Sequence, residues 1–353
     1  LVGPIDWPLM GFTALLLGVA LGAMASASPE RMGAQLQNLA VALVVMRVVA
    51  QIPPQRLMQL ALPLFIAGVL LLVAVALFGD ISKGARRWLN LGFMRIQPSE
   101  LMKIAMPMML AWYFQKHEAQ LRLRDYAIAA LILLIPVALI AKQPDLGTAV
   151  LVFSAGFFVI FFAGLPWKVI IGLAAAAGAA APLAWNMLHD YQRQRILTLI
   201  DPEKDPLGKG FHIIQSTIAI GSGGIFGKGW GQGTQAQLEF IPERHTDFIF
   251  AVYSEEFGLV GNFVLLVLYA LLIGRGLLIA ANAATLFTRL LAGAVTLIFF
   301  TYAFVNMGMV SGILPVVGVP LPFVSYGGTA LVTLCLGVGI LMSINKNRML
   351  VQK

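Results

Sequence analysis

Of the 353 residues, 59% are apolar and only 11% are charged, against about 25% charged in an ordinary soluble domain, and the mean hydropathy is +0.86. That excludes a soluble globular protein, and apolar runs of roughly 20 residues recurring along the chain turn its length into a count of membrane spans. The net charge of +8, from 24 Lys/Arg and 16 Asp/Glu, is scattered singly without a basic block. Nucleic acid is therefore not an expected partner, and anionic lipid or phosphate is. Cys335 is the only cysteine, which excludes an internal disulfide and a cysteine metal cluster.

In chain order, apolar windows predict spans near residues 6 to 27, 34 to 52, 59 to 79, 98 to 114, 126 to 141, 146 to 164, 167 to 187, 247 to 273, 286 to 309 and 327 to 344. The expectation is an all-α polytopic membrane protein of about ten transmembrane helices, since barrel strands would alternate rather than run continuously apolar. The leucine at position 1 reads as a trimmed N-terminus, and the first run, lacking a small-residue cleavage site, as a retained span. Pro and Gly mark the breaks, at Pro53-Pro54, Pro144, Pro166 and the stretch from Pro315 to Gly328. The whole chain, 1–353, reads as one membrane domain holding one large extracytoplasmic loop, 188–246. An even number of spans puts both termini on one side, taken as cytoplasmic from its short basic loops. All polar, irregular segments then fall on the opposite, outer face: 84 to 103, 142 to 148, 188 to 247 and 315 to 328. One extracytoplasmic site is implied.

In GARRWLNLGFMRIQPSELMK, residues 84 to 103, Pro98 and Ser99 open a helix that places Glu100 and Lys103 on one face. Charges near the membrane interior need a partner or water, so the pair either stitches two helices or looks into a polar cavity. Arg86 and Arg87 present planar forks suited to phosphate, or anchor to headgroups beside Trp88. In KQPDLGT, residues 142 to 148, Asp145 is placed to cap the next helix, and Lys142 either pairs with it or offers a second phosphate contact. The glycine runs at 221 to 224 and 227 to 233 do not continue into a nucleotide P-loop; they fit flexibility or close backbone approach. The apolar middle of that loop, 213 to 225, reads as amphipathic segments on the membrane surface.

Asp247 follows Pro242, Glu243, Arg244, His245 and Thr246 at the mouth of the eighth span. It either caps that helix or, with Glu255 and Glu256, marks a working site, because three carboxylates within ten residues there are costly. His245 lacks a ligand set at metal spacing and reads as a lone surface histidine.

Read in order, these motifs resemble the SEDS family of cell-wall proteins (shape, elongation, division and sporulation) over essentially the whole chain. GFHIIQSTIAIGSGGIFGKGW, GTQAQLEFIPERHTDFIFA and PLPFVSYGGT, the last containing Ser325, look like the rod-elongation branch more than the division branch. Gly231, Gln232 and Ala236 depart from the common pattern of that loop. The resemblance implies an inverting peptidoglycan glycosyltransferase of the bacterial cytoplasmic membrane that polymerises lipid II on its outer face. Asp247 is then the essential acid/base residue. Arg86, Arg87 and Lys142 are candidates for the leaving pyrophosphate, and Glu100 and Lys103 for shaping the cavity or a substrate contact. Asp145, Glu255, His245 and Ser325 are secondary candidates. No organic cofactor is implied, and a divalent cation on the pyrophosphate is compatible. The implied partners are the growing glycan strand, a class B penicillin-binding protein supplying the transpeptidase, and other elongation-complex subunits. Two rival readings remain: a lipid II flippase, which needs a polar path between faces, and a non-catalytic scaffold, which would leave Asp247 dispensable.

Overall fold

The structure, a computed structural model, describes residues 5–82, 85–90, 95–119, 121–188, 190–201, 209–238, 240–241 and 243–348. A helix stands in every expected window: α1 (Trp7–Ala27), α2 (Met32–Val49), α3 (Pro54–Phe78), α4 (Pro98–Lys116), α5 (Leu123–Lys142), α6 (Leu146–Phe162) and α7 (Trp167–Met187), then α11 (Ile249–Ala281), α12 (Leu286–Val310) and α13 (Gly328–Asn347). Local signals set their starts. Asp6 caps α1 by accepting from the Leu9 amide at 3.0 Å, and prolines open α3 and α4, where their missing N–H is not needed.

Seven helices are long and apolar enough to cross a membrane, namely α1, α2 with the turn before it, α3, α5, α11, α12 and α13, and α6 and the first part of α7 are shorter apolar helices. The tenth, α4, falls short of that measure for a packing reason. It is enclosed by α3, α5, α6, α12 and α13, its Met102, Met106, Met108 and Phe114 are buried, and it has no lipid-facing side to make apolar.

Between α3 and α4 the chain adds a feature that the all-α expectation omits, a small antiparallel sheet of β1 (Asp80–Ser82), β2 (Ala85–Asn90) and β3 (Arg95–Ile96). Trp88 pairs with Asp80, and Leu89 with Ile96. The long loop carries α8 (Asp190–Ile200), α9 (Lys209–Ser222) and the single turn α10 (Thr234–Gln237). Rather than lying apart on a surface, α9 packs on α11 and α12. It buries Ile213, Ser216 and Ala219, and the Ser216 hydroxyl donates to the Val310 carbonyl at 2.9 Å.

The core centres on α12, which packs on α4, α6, α11 and α13. Helices α2, α3, α5 and α7 turn large apolar side chains such as Val44, Leu70, Leu131 and Ile171 outward, as a lipid-facing perimeter requires. At one end of the bundle, Asp6 ties α1 to α11 and α13, accepting from Arg275 Nη2 at 2.7 Å and from Asn345 Nδ2 at 2.7 Å. The polar motifs gather at the other end.

Candidate functional site

The site grows from a turn, residues 243–248, that leads into α11, and from the irregular stretch 315–327 between α12 and α13 that wraps against it. The Tyr326 amide donates to the His245 carbonyl at 2.8 Å, and the Ser325 hydroxyl to the Thr246 carbonyl at 2.6 Å. Asn306 of α12, fully buried, donates through Nδ2 to the carbonyls of both Asp247, at 2.8 Å, and Val319, at 2.7 Å. Farther along, the Tyr269 hydroxyl holds the Pro322 carbonyl at 2.7 Å. Three consecutive carbonyls ending at Asp247 are thus fixed by side chains or amides from elsewhere in the fold.

The Asp247 carboxylate faces Gly318, where an added Cβ would lie in ordinary contact, 3.5 Å from Oδ2, and where a φ of 74° would strain any side chain. Helix capping was one reading of Asp247. The N-cap position of α11 belongs instead to Phe248, and Asp247 sits one residue earlier, half-buried.

A second glycine brings in the 142 to 148 motif. A Cβ on Gly147 would come within 2.6 Å of the Val317 carbonyl oxygen and 3.4 Å of that of Gly318, so the start of α6 presses against the same backbone that meets Asp247. Asp145 caps α6, accepting from the Thr148 amide at 3.2 Å, and its other oxygen accepts from Gln97 Nε2 at 3.2 Å. The Arg87 guanidinium donates to the Pro144 carbonyl, while its Nε is buried with no hydrogen-bond partner. Lys142 is exposed at the end of α5. Arg86 lies in β2, and its side chain is outside the described residues, as are Lys83 and Pro242.

Glu100 and Lys103 pair and stitch helices together, and the cavity that Glu100 meets is mainly apolar rather than polar. Lys103 Nζ lies 2.5 Å from Glu100 Oε1 and donates to the Tyr302 hydroxyl at 2.5 Å, and Thr333 of α13 donates to the other Glu100 oxygen at 3.2 Å. The network ties α4 to α12 and α13. Glu100 also lines a cavity of about 530 Å³ between α2, α3, α4 and α13, whose wall is mainly apolar and whose polar members include Gln97, Asn38 and Thr333.

Glu255 and Glu256 are not brought to Asp247 as partners. Glu255 accepts from Lys228 Nζ at 2.6 Å, the Thr234 hydroxyl at 3.0 Å and the Gln235 amide at 3.1 Å; Glu256 accepts from the Ser26 hydroxyl and, at 3.2 Å, the Gly231 amide. They staple the glycine loop onto α11, which departs from helical geometry at Gly258 (φ 62°). Loop backbone then pairs with the interrupted helix, Lys228 N to Glu255 O at 3.0 Å and Leu259 N to Gly224 O at 2.9 Å. Of the two readings of those glycines, close approach holds at Gly227, where a Cβ would stand 2.0 Å from the Glu256 carbonyl oxygen.

His245 is not a lone surface residue. It is half-buried, its ring meets Tyr326 edge-on at 5.7 Å, and burial, with Arg31 and Arg244 adding, holds its pKa below the usual histidine value. Among the described residues, no three His, Cys, Asp or Glu side chains converge as a metal site. Sequence reasoning missed Asn306, Tyr302, Gln97 and Arg31. The first two are polar side chains inside an apolar span, a signal by itself.

Comparison with known proteins gives one direction. The FtsW, RodA and SpoVE family, described as cell cycle proteins, matches residues 11–350. The peptidoglycan glycosyltransferase MrdB of Escherichia coli K12 is 54% identical over 347 residues, 98% of this chain and 92% of that protein. A chain of a solved peptidoglycan synthase complex, described as coordinating polymerization and crosslinking, superposes with a TM-score of 0.85 at 36% identity over 98% of both chains. The rod shape determining protein RodA of Thermus thermophilus gives 0.74 at 31% identity over 98% of this chain and 97% of its own.

Proposed function

The chain belongs to the FtsW, RodA and SpoVE family of cell cycle proteins and is a multi-pass inner-membrane peptidoglycan glycosyltransferase; we propose that it polymerises lipid II at Asp247. The observation that carries the assignment is the convergence at Gly318 of the half-buried Asp247 carboxylate and the start of α6. Around it stand Arg87 on the Pro144 carbonyl and Gln97 on Asp145, a base beside cationic and hydrogen-bonding groups.

In this reading Asp247 takes the proton from the 4-hydroxyl of the acceptor sugar as that oxygen attacks the anomeric carbon of the donor. The bond to undecaprenyl pyrophosphate breaks on the opposite face, so an α-linked donor gives a β-linked glycan. The leaving group gathers negative charge, and Arg86, Arg87 and Lys142 stabilise it. The cavity lined by Gln97 and Glu100 takes the start of the donor's lipid chain against its apolar wall, with the polar end toward Asp145. Glu100 and Lys103 perform no proton transfer; they hold α4, α12 and α13 so that the cavity keeps its shape. The reacting face is extracytoplasmic, and a class B penicillin-binding protein crosslinks the product, matching the neighbour from a peptidoglycan synthase complex. At the opposite end of the bundle Arg275 and Asn345 both donate to Asp6, which favours a single-sided enzyme over a flippase.

The test is glycan synthesis from purified lipid II by the protein with its penicillin-binding partner, comparing the native chain with Asp247→Asn. Loss of a positioned base lowers the rate by about 10²- to 10⁴-fold, with fold and partner binding retained. Unchanged polymer would refute the assignment.

A further inference from the structure

Two of the three carbonyls that fix the Asp247 turn, those of His245 and Thr246, hang on Tyr326 and Ser325. These two residues lead into α13, whose N-cap position belongs to Gly327 and carries no side-chain bond. Ser325 is secured locally: its amide donates to the Leu321 carbonyl at 3.0 Å, and its hydroxyl accepts from the Leu321 amide at 2.7 Å. Tyr326 spends its amide on His245, and its side chain is met by groups from outside its own segment. The His245 imidazole stands edge-on to the ring at 5.7 Å, and the Arg31 guanidinium lies 5.6 Å from the ring centre.

Arg31 reaches the ring from an anchored base. It ends the 3-10 turn Pro29–Arg31 that joins α1 to α2, and its amide donates to the carbonyl of the buried Ser28 at 3.1 Å. Just upstream, Ser26 donates to Glu256 of α11, and the Gly22 carbonyl accepts from the Trp230 indole at 2.9 Å. The end of α1 is therefore tied both to the glycine loop and to the helix that Asp247 precedes. Arg31 and His245 line one cavity of about 270 Å³, and after burial Arg31 is the largest influence lowering the pKa of that histidine. The charges around this cavity answer one another. Glu30 is held by its own amide and the Ser28 hydroxyl, with Arg244 and Arg31 adding, and Glu243 accepts from the Thr246 hydroxyl at 3.2 Å. The cluster is a clasp between two turns rather than a place for a ligand.

What rests on the clasp is placement more than stability. Arg31 is exposed, and an exposed cation over a ring adds little to the stability of a bundle. The backbone beneath Asp247 is more sensitive, because a shift of about 1 Å at a reacting group lowers the rate by roughly 10²-fold. We propose that Arg31 and the Tyr326 ring are positioning residues, which hold the Asp247 turn against the start of α13 so that the carboxylate stands at reacting distance. Neither side chain touches the sugar. The inference rests on Asp247 being the base, as proposed above.

The experiment measures kcat and KM for glycan synthesis from lipid II at about pH 8, where the histidine is neutral, by the native chain and its variants, each with the penicillin-binding partner. Arg31→Gln is expected to lower kcat about two- to fivefold, the equivalent of about 0.5–1 kcal/mol for an exposed cation over a ring, with KM and the melting temperature in detergent at native values. Tyr326→Phe keeps the ring and the native kcat, whereas Tyr326→Leu lowers it, and adding Arg31→Gln to Tyr326→Leu lowers it no further. A native kcat in Arg31→Gln overturns the proposal. So does a loss that recurs in full on the Tyr326→Leu background, or one that arrives as a raised KM, since either means that Arg31 acts without the ring. Asp247→Asn, measured alongside, separates the two readings. Glycan made at the native rate by that protein refutes the base and the clasp with it, while an inactive Asp247→Asn beside a full-rate Arg31→Gln refutes the clasp alone.

Discussion

Replacing Asn306 with alanine is the sharpest test of how the site is held. Its Nδ2 donates to two carbonyls, those of Asp247 at 2.8 Å and Val319 at 2.7 Å, and the side chain is fully buried. Removing it leaves two carbonyl oxygens without that donor, at about 1–3 kcal/mol each. The expected loss of stability is therefore about 2–6 kcal/mol, read as a lower melting temperature in detergent micelles. The same bonds set where the Asp247 carboxylate stands relative to Gly318. A misplacement of about 1 Å lowers a proton-transfer rate by roughly 10²-fold, so kcat for glycan synthesis falls to that extent while KM for lipid II changes little, since Asn306 lines none of the substrate cavity. A buried packing residue would lower the melting temperature and the fraction of active protein together, leaving kcat per folded molecule intact. An Asn306→Ala protein with native kcat per folded molecule would refute the positioning role, whatever its stability.

Three further outcomes follow from the same geometry. Lys103→Met leaves the partly buried Glu100 without its ammonium partner, with Thr333 still donating to it, and is expected to destabilise by about 2–3 kcal/mol, whereas Glu100→Gln/Lys103→Met costs much less than the sum of the single changes; a double-mutant cycle on thermal unfolding in detergent checks this. Gly227→Ala drives a Cβ to 2.0 Å from the Glu256 carbonyl oxygen at a φ of 78° and should abolish detergent-stable protein, while Gly221→Ala, with nothing within 4 Å, should behave as wild type by size-exclusion chromatography. Because burial, Arg31 and Arg244 lower the pKa of His245, the unfolded chain binds its proton more readily than the folded one. The histidine's contribution to stability is present above pH 6.5 and fades as pH falls below it, so a His245→Gln protein should show a flatter dependence of melting temperature on pH in that range.

What the sequence disclosed and what it hid divide along a physical line. Apolar run length is a property of the chain itself, and so each of the ten windows carries a helix within a few residues, with Pro54 and Pro98 as the first residues of α3 and α4. Asp145 likewise caps α6 through a contact three residues away, which local spacing encodes. The roles of Glu255 and Glu256 were not legible, because their partners are Lys228, Thr234 and Ser26, brought in by a loop whose path depends on the interruption at Gly258. The strands β1 to β3 escaped for a similar reason: β1 and β3, at three and two residues, are too short to show a period, and the six residues of β2, ARRWLN, do not alternate, so only their pairing defines them.

The contrast between Asp247, the proposed base, and Glu255 shows why a count of carboxylates alone does not assign a role. Both stand near the start of one helix, and the intramembrane cost of charge flagged both. Glu255 has every oxygen engaged by an ammonium, a hydroxyl and an amide, so its charge is consumed in holding the loop. Around Asp247 hydrogen bonds fix the backbone of residues 245 to 247, and its half-buried carboxylate faces Gly318. A base needs that combination, a rigid main chain beneath a side chain still reachable by substrate. Asn306, Ser325 and Tyr326 supply the rigidity from two separate elements, which is why the decisive residues around Asp247 lie 59 or more positions away in sequence.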